Sequence, residues 1–418
     1  MKLDKLLIFI KRYINNTSKN VLIYVFTSVL TGGVSILLTT FLVNHLSQYD
    51  YGQLEAFLSV SSLLTSLIMF GGSTFVIHYY SSSSIKNEYE YSISLVFFNT
   101  LLLFIVGFPL LIIMEDNFVF FGVLALLYSS LNAVYNIILT SYQLESKASN
   151  YAKVNVLFSL VSVFLTIVIQ HYFNHYFSRV FALILVILIL LIFMGKPFII
   201  AKIKNNIFIL GNLIKGYKVG LPLAIGQVSS WILEKFDRLI IISLLGPSLL
   251  AVYGLGYQFG MLMLLFQSAI SKAWVPYLQK KIELNDRRTI KSTIRKISLV
   301  YFLAVILISF SGYIYINYFI DRSYNGSIYI VPFVTMGYAF DGVWKLYNSI
   351  LIVEKNYKLY TKQVIIIGIL NMCLTYIFVN TFGILGAAFS TLLSFFIGFV
   401  WNYIYLSYNV NWFGKLEN

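Results

Sequence analysis

The chain has 418 residues, of which 59% are hydrophobic and only 11% are charged, and its mean hydropathy is +0.82. A water-soluble core of this length does not need so much apolar sequence, so the composition excludes a soluble globular protein and indicates a polytopic membrane protein. The formal net charge of +14 is distributed over alternate loops, which argues against nucleic acid as the partner.

Apolar segments recur along the whole chain, and most are near the ~20 residues that an α-helix needs to cross a hydrocarbon layer of ~30 Å. Their periodicity is helical and strand-like alternation is missing, so the sequence predicts an all-α bundle. Twelve transmembrane helices are predicted: 21–46, 53–80, 92–113, 118–143, 154–170, 180–200, 219–246, 251–275, 297–319, 327–350, 363–380 and 386–408.

Basic residues collect in the N-terminal arm, the central linker and every second loop between these helices. The intervening loops contain only Arg179 and Arg322. The positive-inside rule therefore predicts that the N- and C-termini both face the cytoplasm. The outer loops, such as "MEDN" and "LLGPS", are too short for an extracytoplasmic catalytic domain, so we expect the function to lie inside the bundle.

Polar residues follow the same spacing on the first and the seventh predicted helices. An offset of 199 residues aligns two series, Ser28, Thr31, Ser35 and Thr39 with Gln227, Ser230, Glu234 and Arg238. The spacing i, i+3, i+7, i+11 places each series on one face of a helix. Because lipid disfavours such a face, we predict that both stripes line a wet interior.

An ordered series of offsets indicates that the chain is an internal duplication. An offset of 202 aligns Tyr51 with Tyr253, and an offset of 209 aligns Asn132 and Asn136 with Asp341 and Lys345. The sequence therefore predicts two six-helix bundles, 1–200 and 201–418. Since six helices per half is an even number, the halves are expected to be related by a pseudo-two-fold axis along the membrane normal, with a central cavity between them.

Besides Lys196, which is assigned to the central linker, eight charged residues lie within the predicted helices, where a lone charge is costly and is a functional candidate by default. The basic ones are Lys235, Arg238, Lys272 and Lys345, and the acidic ones are Glu55, Glu234, Asp237 and Asp341. Glu234 and Arg238 are spaced i, i+4, as are Asp341 and Lys345, so each pair can form an ion pair on one helix.

Two interpretations of these charges remain open. Their signs nearly balance, so they can be ion pairs that only fix helix packing. Alternatively, the basic groups bind a substrate phosphate through charge-assisted hydrogen bonds, and the carboxylates are exchangeable partners, gating groups or ion-coupling groups.

The sequence contains no Walker loop, dinucleotide fingerprint, nucleophile elbow or cysteine cluster, so no cofactor is predicted. The one cysteine, Cys373, lies in the eleventh predicted helix. His171 and His175 have the i, i+4 spacing of a zinc pair, but without an acidic partner nearby they are interpreted as part of an interfacial aromatic belt, and no metal site is predicted.

Three segments carry a resemblance to a known family: "LSQYDYGQLEAF" after the first helix, "LPLAIGQVSSWILEKFDRLIIISLLGPSLLAVYGLGYQF" across helices seven and eight, and "GILGAAFST" at helix twelve. With these segments the chain resembles the polysaccharide or O-antigen unit flippases of the multidrug/oligosaccharidyl-lipid/polysaccharide exporter superfamily. Together with the length and the twelve helices, the resemblance covers essentially the whole chain.

The resemblance implies that the protein moves a polyprenyl-pyrophosphate-linked oligosaccharide across the bacterial inner membrane, for O-antigen or capsule synthesis. It implies a V-shaped bundle in which helices one, two, seven and eight line a cationic cavity, with Asp237 and Arg238 as the carried-over functional pair. The expected partners are this lipid-linked oligosaccharide and membrane lipid. A coupling proton or sodium ion and other polysaccharide-assembly membrane proteins are further candidates.

The leading alternative is a drug or cation antiporter of the same superfamily, coupled to protons or sodium, in which Glu234, Asp237 and Asp341 bind the ions. A membrane enzyme, such as a glycan polymerase or a lipid-dependent glycosyltransferase, is a third class. Such enzymes typically need a large outer loop or an acidic site at the interface, and the sequence contains neither.

Overall fold

The computed structural model describes residues 2–72, 85–112, 116–145, 147–195, 210–284, 286–354 and 356–408. Every regular element in these ranges is helical, which confirms the predicted all-α class. The α-helices are α1 (Lys2–His45), α2 (Gln48–Met69), α3 (Ile85–Ile112), α4 (Asp116–Leu144), α5 (Ala148–Tyr172), α6 (Phe177–Leu190), α7 (Leu210–Leu245), α8 (Pro247–Glu283), α9 (Arg287–Phe319), α10 (Ser327–Val353) and α11 (Tyr357–Tyr408).

Helix α11 consists of two helices joined at a kink. Gly383 has φ +62°, a conformation that glycine adopts without the steric penalty of a Cβ. When its two parts are counted separately, the described residues form twelve α-helices, in agreement with the sequence prediction. A π-helical turn (Leu191–Gly195) follows α6, and a short 3-10 turn (Arg322–Tyr324) precedes α10.

Seven of the described helices are long and apolar enough to cross a membrane, namely α1, α2, α4, α5, α8, α9 and α11. Shorter apolar stretches lie at Ser92–Gly107 in α3 and at Phe177–Phe193, which spans α6. The remaining two, α7 and α10, contain the six predicted intramembrane charges at positions 234–238, 341 and 345, and charges lower the hydropathy of a segment. The chain is therefore a multi-pass membrane protein in which α7 and α10 carry six of the eight predicted intramembrane charges.

The described residues fall into two compact units. The first comprises Met1–Phe41 and Val60–Val228, and the second comprises Leu42–Ser59 and Ser229–Asn418, as far as these ranges are described. In the first unit, α4 supplies buried residues to two apolar clusters, one around Ala133 and Ile137 and one around Tyr135. In the second unit, α10 is buried along most of its length and contacts α8, α9 and α11.

The second unit thus contains the end of α1 and the first three turns of α2, although these segments are early in the sequence. The boundaries of the two units are defined by contacts, whereas the predicted halves 1–200 and 201–418 are defined by the sequence repeat. The predicted duplication stays a prediction. Asn44 Nδ2 donates to the Phe319 carbonyl (2.9 Å), and Gln48 Nε2 donates to the Ser323 carbonyl (2.8 Å), so side chains of this segment bind the backbone after α9.

The start of α9 illustrates how local sequence ends one helix and begins another. Asp286 is its N-cap, and its carboxylate accepts a hydrogen bond from the Thr289 N–H (3.2 Å). Lys281 Nζ, in the last turn of α8, lies 2.7 Å from the same carboxylate and lowers the pKa of Asp286 to about 2. The connection between α8 and α9 is therefore stabilised by three residues that lie between positions 281 and 289.

Helices α2 and α8 approach each other closely at Gly52. A Cβ on this residue would lie 1.8 Å from the carbonyl oxygen of Pro247 in the first turn of α8. Backbone atoms cannot rotate away as a flexible side chain does, so any larger residue must separate the two helices.

We expect Gly52→Ala to destabilise the protein by about 1–3 kcal/mol, the usual cost of forcing an extra methyl group into a packed interface. The measurement is thermal unfolding of the detergent-purified protein. Gly226→Ala in α7 is the matched control, because no atom lies within 4 Å of the Cβ that it would add, and alanine favours a helix. Equal melting temperatures for the two variants would contradict the close approach of α2 and α8.

Candidate functional site

A network of buried charges lies within the second unit, built around four residues of α7. Glu234, Lys235, Asp237 and Arg238 fall within five consecutive positions of this helix. Asp237 and Arg238 are almost fully buried, whereas Glu234 and Lys235 are partly buried. Because successive residues of a helix are rotated by ~100°, these four side chains occupy less than half of its circumference and meet different neighbours.

The Arg238 guanidinium is surrounded by partners, and its side chain is only 4% exposed. Its Nε lies 3.7 Å from Glu55 Oε2 of α2, and its Nη1 lies 3.4 Å from Asp237 Oδ1 and donates to the Glu234 carbonyl at 2.9 Å. Its Cζ lies 4.3 Å from the centre of the Tyr257 ring. Two carboxylates, one carbonyl and one aromatic face thus compensate a buried cation that would otherwise be strongly destabilising.

Each of the two carboxylates also accepts a hydrogen bond from a tyrosine. The Tyr253 hydroxyl of α8 donates to Asp237, which accepts a second bond from the Arg238 N–H (2.8 Å). The Tyr51 hydroxyl donates to Glu55 Oε1 at 3.1 Å and accepts a bond from Gln258 Nε2 at 2.9 Å. The network therefore connects α2, α7 and α8 through charge-assisted hydrogen bonds, which are stronger than neutral ones.

Two further tyrosines extend the network from α7 to α10. The Tyr257 hydroxyl lies within hydrogen-bond distance of the Glu234 carbonyl (3.0 Å) and of the Tyr338 hydroxyl (2.7 Å). Gln267 Nε2 of α8 donates to the Tyr338 carbonyl (2.6 Å). The backbone of α10 is thereby connected by hydrogen bonds to the helix that carries Arg238.

A second ion pair, between Asp341 and Lys345 of α10, has a different environment. Lys345 Nζ lies 2.6 Å from Asp341 Oδ2 and 3.1 Å from Gln267 Oε1. The Asp341 side chain is 4% exposed, but the Lys345 side chain is 44% exposed. The lysine is thus accessible, whereas its partner carboxylate is buried.

A small cavity of about 80 Å³ lies among α7, α10 and α11, beside this second pair. Its polar lining consists of Ser230, Glu234, Asp341, Lys345, Asn348 and Tyr360. The carboxylate of Glu234 has no ion pair within 4 Å among the residues that the structure describes. The cavity therefore contains one paired and one unpaired carboxylate.

The structure brings together six of the eight predicted charges: Glu55, Glu234, Asp237, Arg238, Asp341 and Lys345. The i, i+4 pair on α10 is present, but Arg238 contacts the backbone of Glu234 and not its carboxylate, because Glu55 and Asp237 occupy the guanidinium. Lys235 forms no ion pair within 4 Å in the described ranges. Lys272 lies in α8, but its side chain is outside the described residues.

The stripe predicted on α1 belongs to the first unit. Three of its hydroxyls bond to carbonyls one turn earlier, Ser28 to Tyr24 (2.9 Å), Thr31 to Thr27 (2.9 Å) and Thr39 to Ser35 (3.0 Å). Ser35 itself is exposed. On α7, Gln227 is partly buried in the first unit, and Ser230 is an exposed residue of the second. Lining of a common cavity by the two stripes stays a prediction.

The sequence analysis did not identify the two tyrosines that donate hydrogen bonds to the carboxylates of Glu55 and Asp237. Tyr51 and Tyr253 had been aligned by the repeat, but no role had been attached to either. A signal was present for one of them, since Tyr51 and Glu55 have the i, i+4 spacing at which helix side chains meet. His175, which had been considered as a metal ligand, stacks on Phe177 with ring centres 4.9 Å apart.

Ionisable side chains in the interior of a multi-pass helical bundle mark a candidate functional site within the membrane. The chain belongs to a family described as polysaccharide biosynthesis proteins, whose model matches residues 17–282. No curated protein matches the chain.

Several solved structures share the architecture at low sequence identity. The lipid II flippase MurJ in an inward closed conformation is 17% identical, with a TM-score of 0.70 over 93% of this chain and 87% of that one. An inward-facing multidrug resistance MATE transporter is 15% identical, with a TM-score of 0.64 over 93% and 96%. A MOP superfamily transporter from Pyrococcus furiosus is 15% identical, with a TM-score of 0.59 over 95% and 97%. These likenesses establish the fold.

We expect Arg238→Lys to destabilise the protein by about 1–3 kcal/mol, because one ammonium cannot contact Glu55, Asp237 and the Glu234 carbonyl at once and leaves buried groups unsatisfied. Thermal unfolding in detergent measures the effect. Arg288→Lys, at the exposed start of α9, makes the same chemical change without such partners and is expected to melt like the wild type. If both variants melt alike, the guanidinium does not hold the network together.

Proposed function

We propose that the protein is a flippase that moves a polyprenyl-pyrophosphate-linked oligosaccharide from the cytoplasmic to the outer leaflet by alternating access, for synthesis of a surface polysaccharide such as O-antigen or capsule. The observation that carries this proposal is the family match over residues 17–282. The fold shared with a protein titled lipid II flippase supports a lipid-linked substrate.

The physical problem for such a protein is the diphosphate, whose negative charges cannot enter a hydrocarbon layer uncompensated. We propose that cations of α7 and α10 compensate them. Lys235 forms no ion pair with another described residue and is available for first contact. Lys345 has an exposed side chain but is paired with Asp341, so it becomes available only when its ammonium leaves that carboxylate. Arg238 is held by Glu55 and Asp237 and becomes available only if one carboxylate is displaced.

This exchange of partners couples binding to conformation. Glu55 lies on α2, and the same segment is attached to the backbone after α9 through Asn44 and Gln48. A phosphate that replaces Glu55 on Arg238 removes one of the bonds between this segment and the rest of the second unit. Substrate binding therefore favours a state in which α2 has moved, which is the requirement for a ligand-driven population shift.

We further propose that the protein lies in the bacterial inner membrane with both termini in the cytoplasm, as the loop charges indicate. Other polysaccharide-assembly membrane proteins are proposed partners on the basis of the family. A coupling proton or sodium ion is a further proposed partner.

The second candidate is a proton- or sodium-coupled drug or cation antiporter. The fold shared with multidrug transporters and the unpaired carboxylate of Glu234 favour it. The two candidates differ in the sign of the transported charge: an antiporter of cations depends on carboxylates, whereas a flippase of diphosphates depends on the lysines and the arginine.

The test is exposure of the lipid-linked oligosaccharide at the outer face of cells that lack the protein, measured with a membrane-impermeant lectin. We expect wild-type protein to restore exposure and Lys235→Gln to reduce the rate about tenfold or more, since a charge-assisted bond to phosphate contributes roughly 1.5–3 kcal/mol. Arg288→Gln removes one exposed positive charge and is the matched control at equal expression.

Normal exposure in cells without the protein and without another flippase would refute the proposal. If reconstituted protein instead exports a cationic dye, and Lys235→Gln leaves that export intact, the antiporter is the better description. The two results are distinguishable because lipid exposure and dye export are measured separately.

A further inference from the structure

The cavity of about 80 Å³ beside Glu234 combines an aromatic wall with polar groups that lack partners. Trp344 and Phe395 form part of its apolar lining, together with Leu233 and Val364. A pocket with mostly apolar walls and a few convergent polar groups is the usual form of a small-ligand site. All these residues belong to the second unit.

Several lining groups have unused hydrogen-bonding capacity. The buried Trp344 Nε1 has no partner. Asn348 Oδ1 accepts from Asn402 Nδ2 at 2.7 Å, but the amide nitrogen of Asn348 has no partner among the described residues. The Glu234 carboxylate and the Tyr360 hydroxyl likewise form no side-chain hydrogen bond in the described ranges. Glu234, Asn348 and Tyr360 line the cavity, so a carboxylate, an amide N–H and a phenol are open to a polar ligand there.

The charges of the cavity disfavour an anionic occupant. Glu234 and Asp341 carry negative charge, and Lys345 carries the only positive charge among the described lining residues, 2.6 Å from Asp341. The net charge of the lining is therefore negative, so a phosphate is repelled. A hydroxyl group both donates and accepts hydrogen bonds, and it matches a lining that offers a carboxylate, an amide N–H and a phenol.

The size of the cavity is also that of a few hydroxyl groups. About 10–15 Å³ of such space is enough for one water, so about 80 Å³ admits several waters or hydroxyl groups. A whole oligosaccharide does not fit, but one edge of a sugar ring does.

The position along α7 agrees with a sugar that follows the diphosphate. Glu234 precedes Arg238 by one helical turn, a rise of ~6 Å, and Lys235 is its neighbour. A diphosphate bound by Lys235 and Arg238 therefore places the attached sugar within reach of Glu234.

We propose that this cavity, lined by Glu234, Trp344, Asn348 and Tyr360, is a subsite for the hydroxyl or acetamido groups of the sugar that is attached directly to the diphosphate. The proposal rests on the proposed flippase function. It adds that the cavity recognises the sugar, whereas the cations of α7 bind the diphosphate. A site that hydrogen-bonds a hydroxyl rejects an analogue without it, because its own polar groups are then unpaired.

The experiment measures dissociation constants of the purified full-length protein for synthetic polyprenyl diphosphates. One probe carries no sugar, and four others each carry a single glucose, galactose, N-acetylglucosamine or N-acetylgalactosamine. We expect at least one glycosylated probe to bind more tightly than the bare lipid. Glu234→Gln is expected to weaken that probe about tenfold, and Tyr360→Phe about fivefold, with unchanged affinity for the bare lipid.

Both substitutions conserve shape, so the fold is expected to survive, and each has a matched control. Glu283→Gln changes an exposed glutamate at the end of α8, and Tyr357→Phe changes an exposed tyrosine one turn before Tyr360. Both controls are expected to bind every probe like the wild type.

The outcomes separate the two proposals. If the bare lipid binds and none of the four sugars improves its affinity, the sugar subsite is wrong and the flippase proposal stands. If neither bare nor glycosylated lipid binds, the flippase proposal fails and the subsite fails with it. If sodium raises the melting temperature of the wild type but not of Glu234→Gln, and no sugar preference is found, the cavity is a cation site and the inference is overturned.

Discussion

The pairing of the Arg238 guanidinium with Glu55 and Asp237 is the interaction on which the second unit depends. A cation with a 4% exposed side chain inside an apolar bundle must be neutralised where it lies, and the carboxylates that neutralise it need hydrogen-bond donors of their own. Tyr51 and Tyr253 supply those donors. Gly254 leaves the space that this arrangement needs, because a Cβ at this position would lie only 2.9 Å from the Glu55 carboxyl carbon. These contacts of Arg238, Glu55 and Tyr51 explain why a segment of α1 and α2 packs with the C-terminal helices.

Most of the fold follows from local properties of the sequence. Hydropathy and helical periodicity are read within about twenty residues, so the twelve helices and the charged faces of α7 and α10 were predictable. The contact between Glu55 and Arg238 was not, since 183 positions separate them and each had a partner nearer in sequence. The tyrosines were missed for a related reason: among 32 tyrosines, nothing local distinguishes Tyr253, which donates to Asp237, from one that faces lipid.

The Arg238 network and the Asp341–Lys345 pair are chemically similar, but only the lysine of the second pair has an exposed side chain. We infer different roles for the two from this difference. The Arg238 network uses a planar guanidinium, which can serve several acceptors in fixed directions and suits a permanent framework. The Asp341–Lys345 pair uses a flexible ammonium whose side chain is 44% exposed, at the edge of a cavity. A lysine in that position can change partners by rotating its side chain, whereas Arg238 can change partners only if a helix moves.

The near balance of positive and negative buried charges has a consequence for the transport mechanism. A strongly cationic interior would bind a diphosphate tightly in every conformation, and a ligand with equal affinity for two states shifts neither. Where a cation already has a carboxylate partner, as Arg238 and Lys345 do, the phosphate gains only the difference between the new and the old contacts. That difference depends on whether Glu55 and Asp341 are in place, and hence on conformation. The balance of signs that first suggested purely structural ion pairs is therefore also what a reversible carrier of an anionic head group requires.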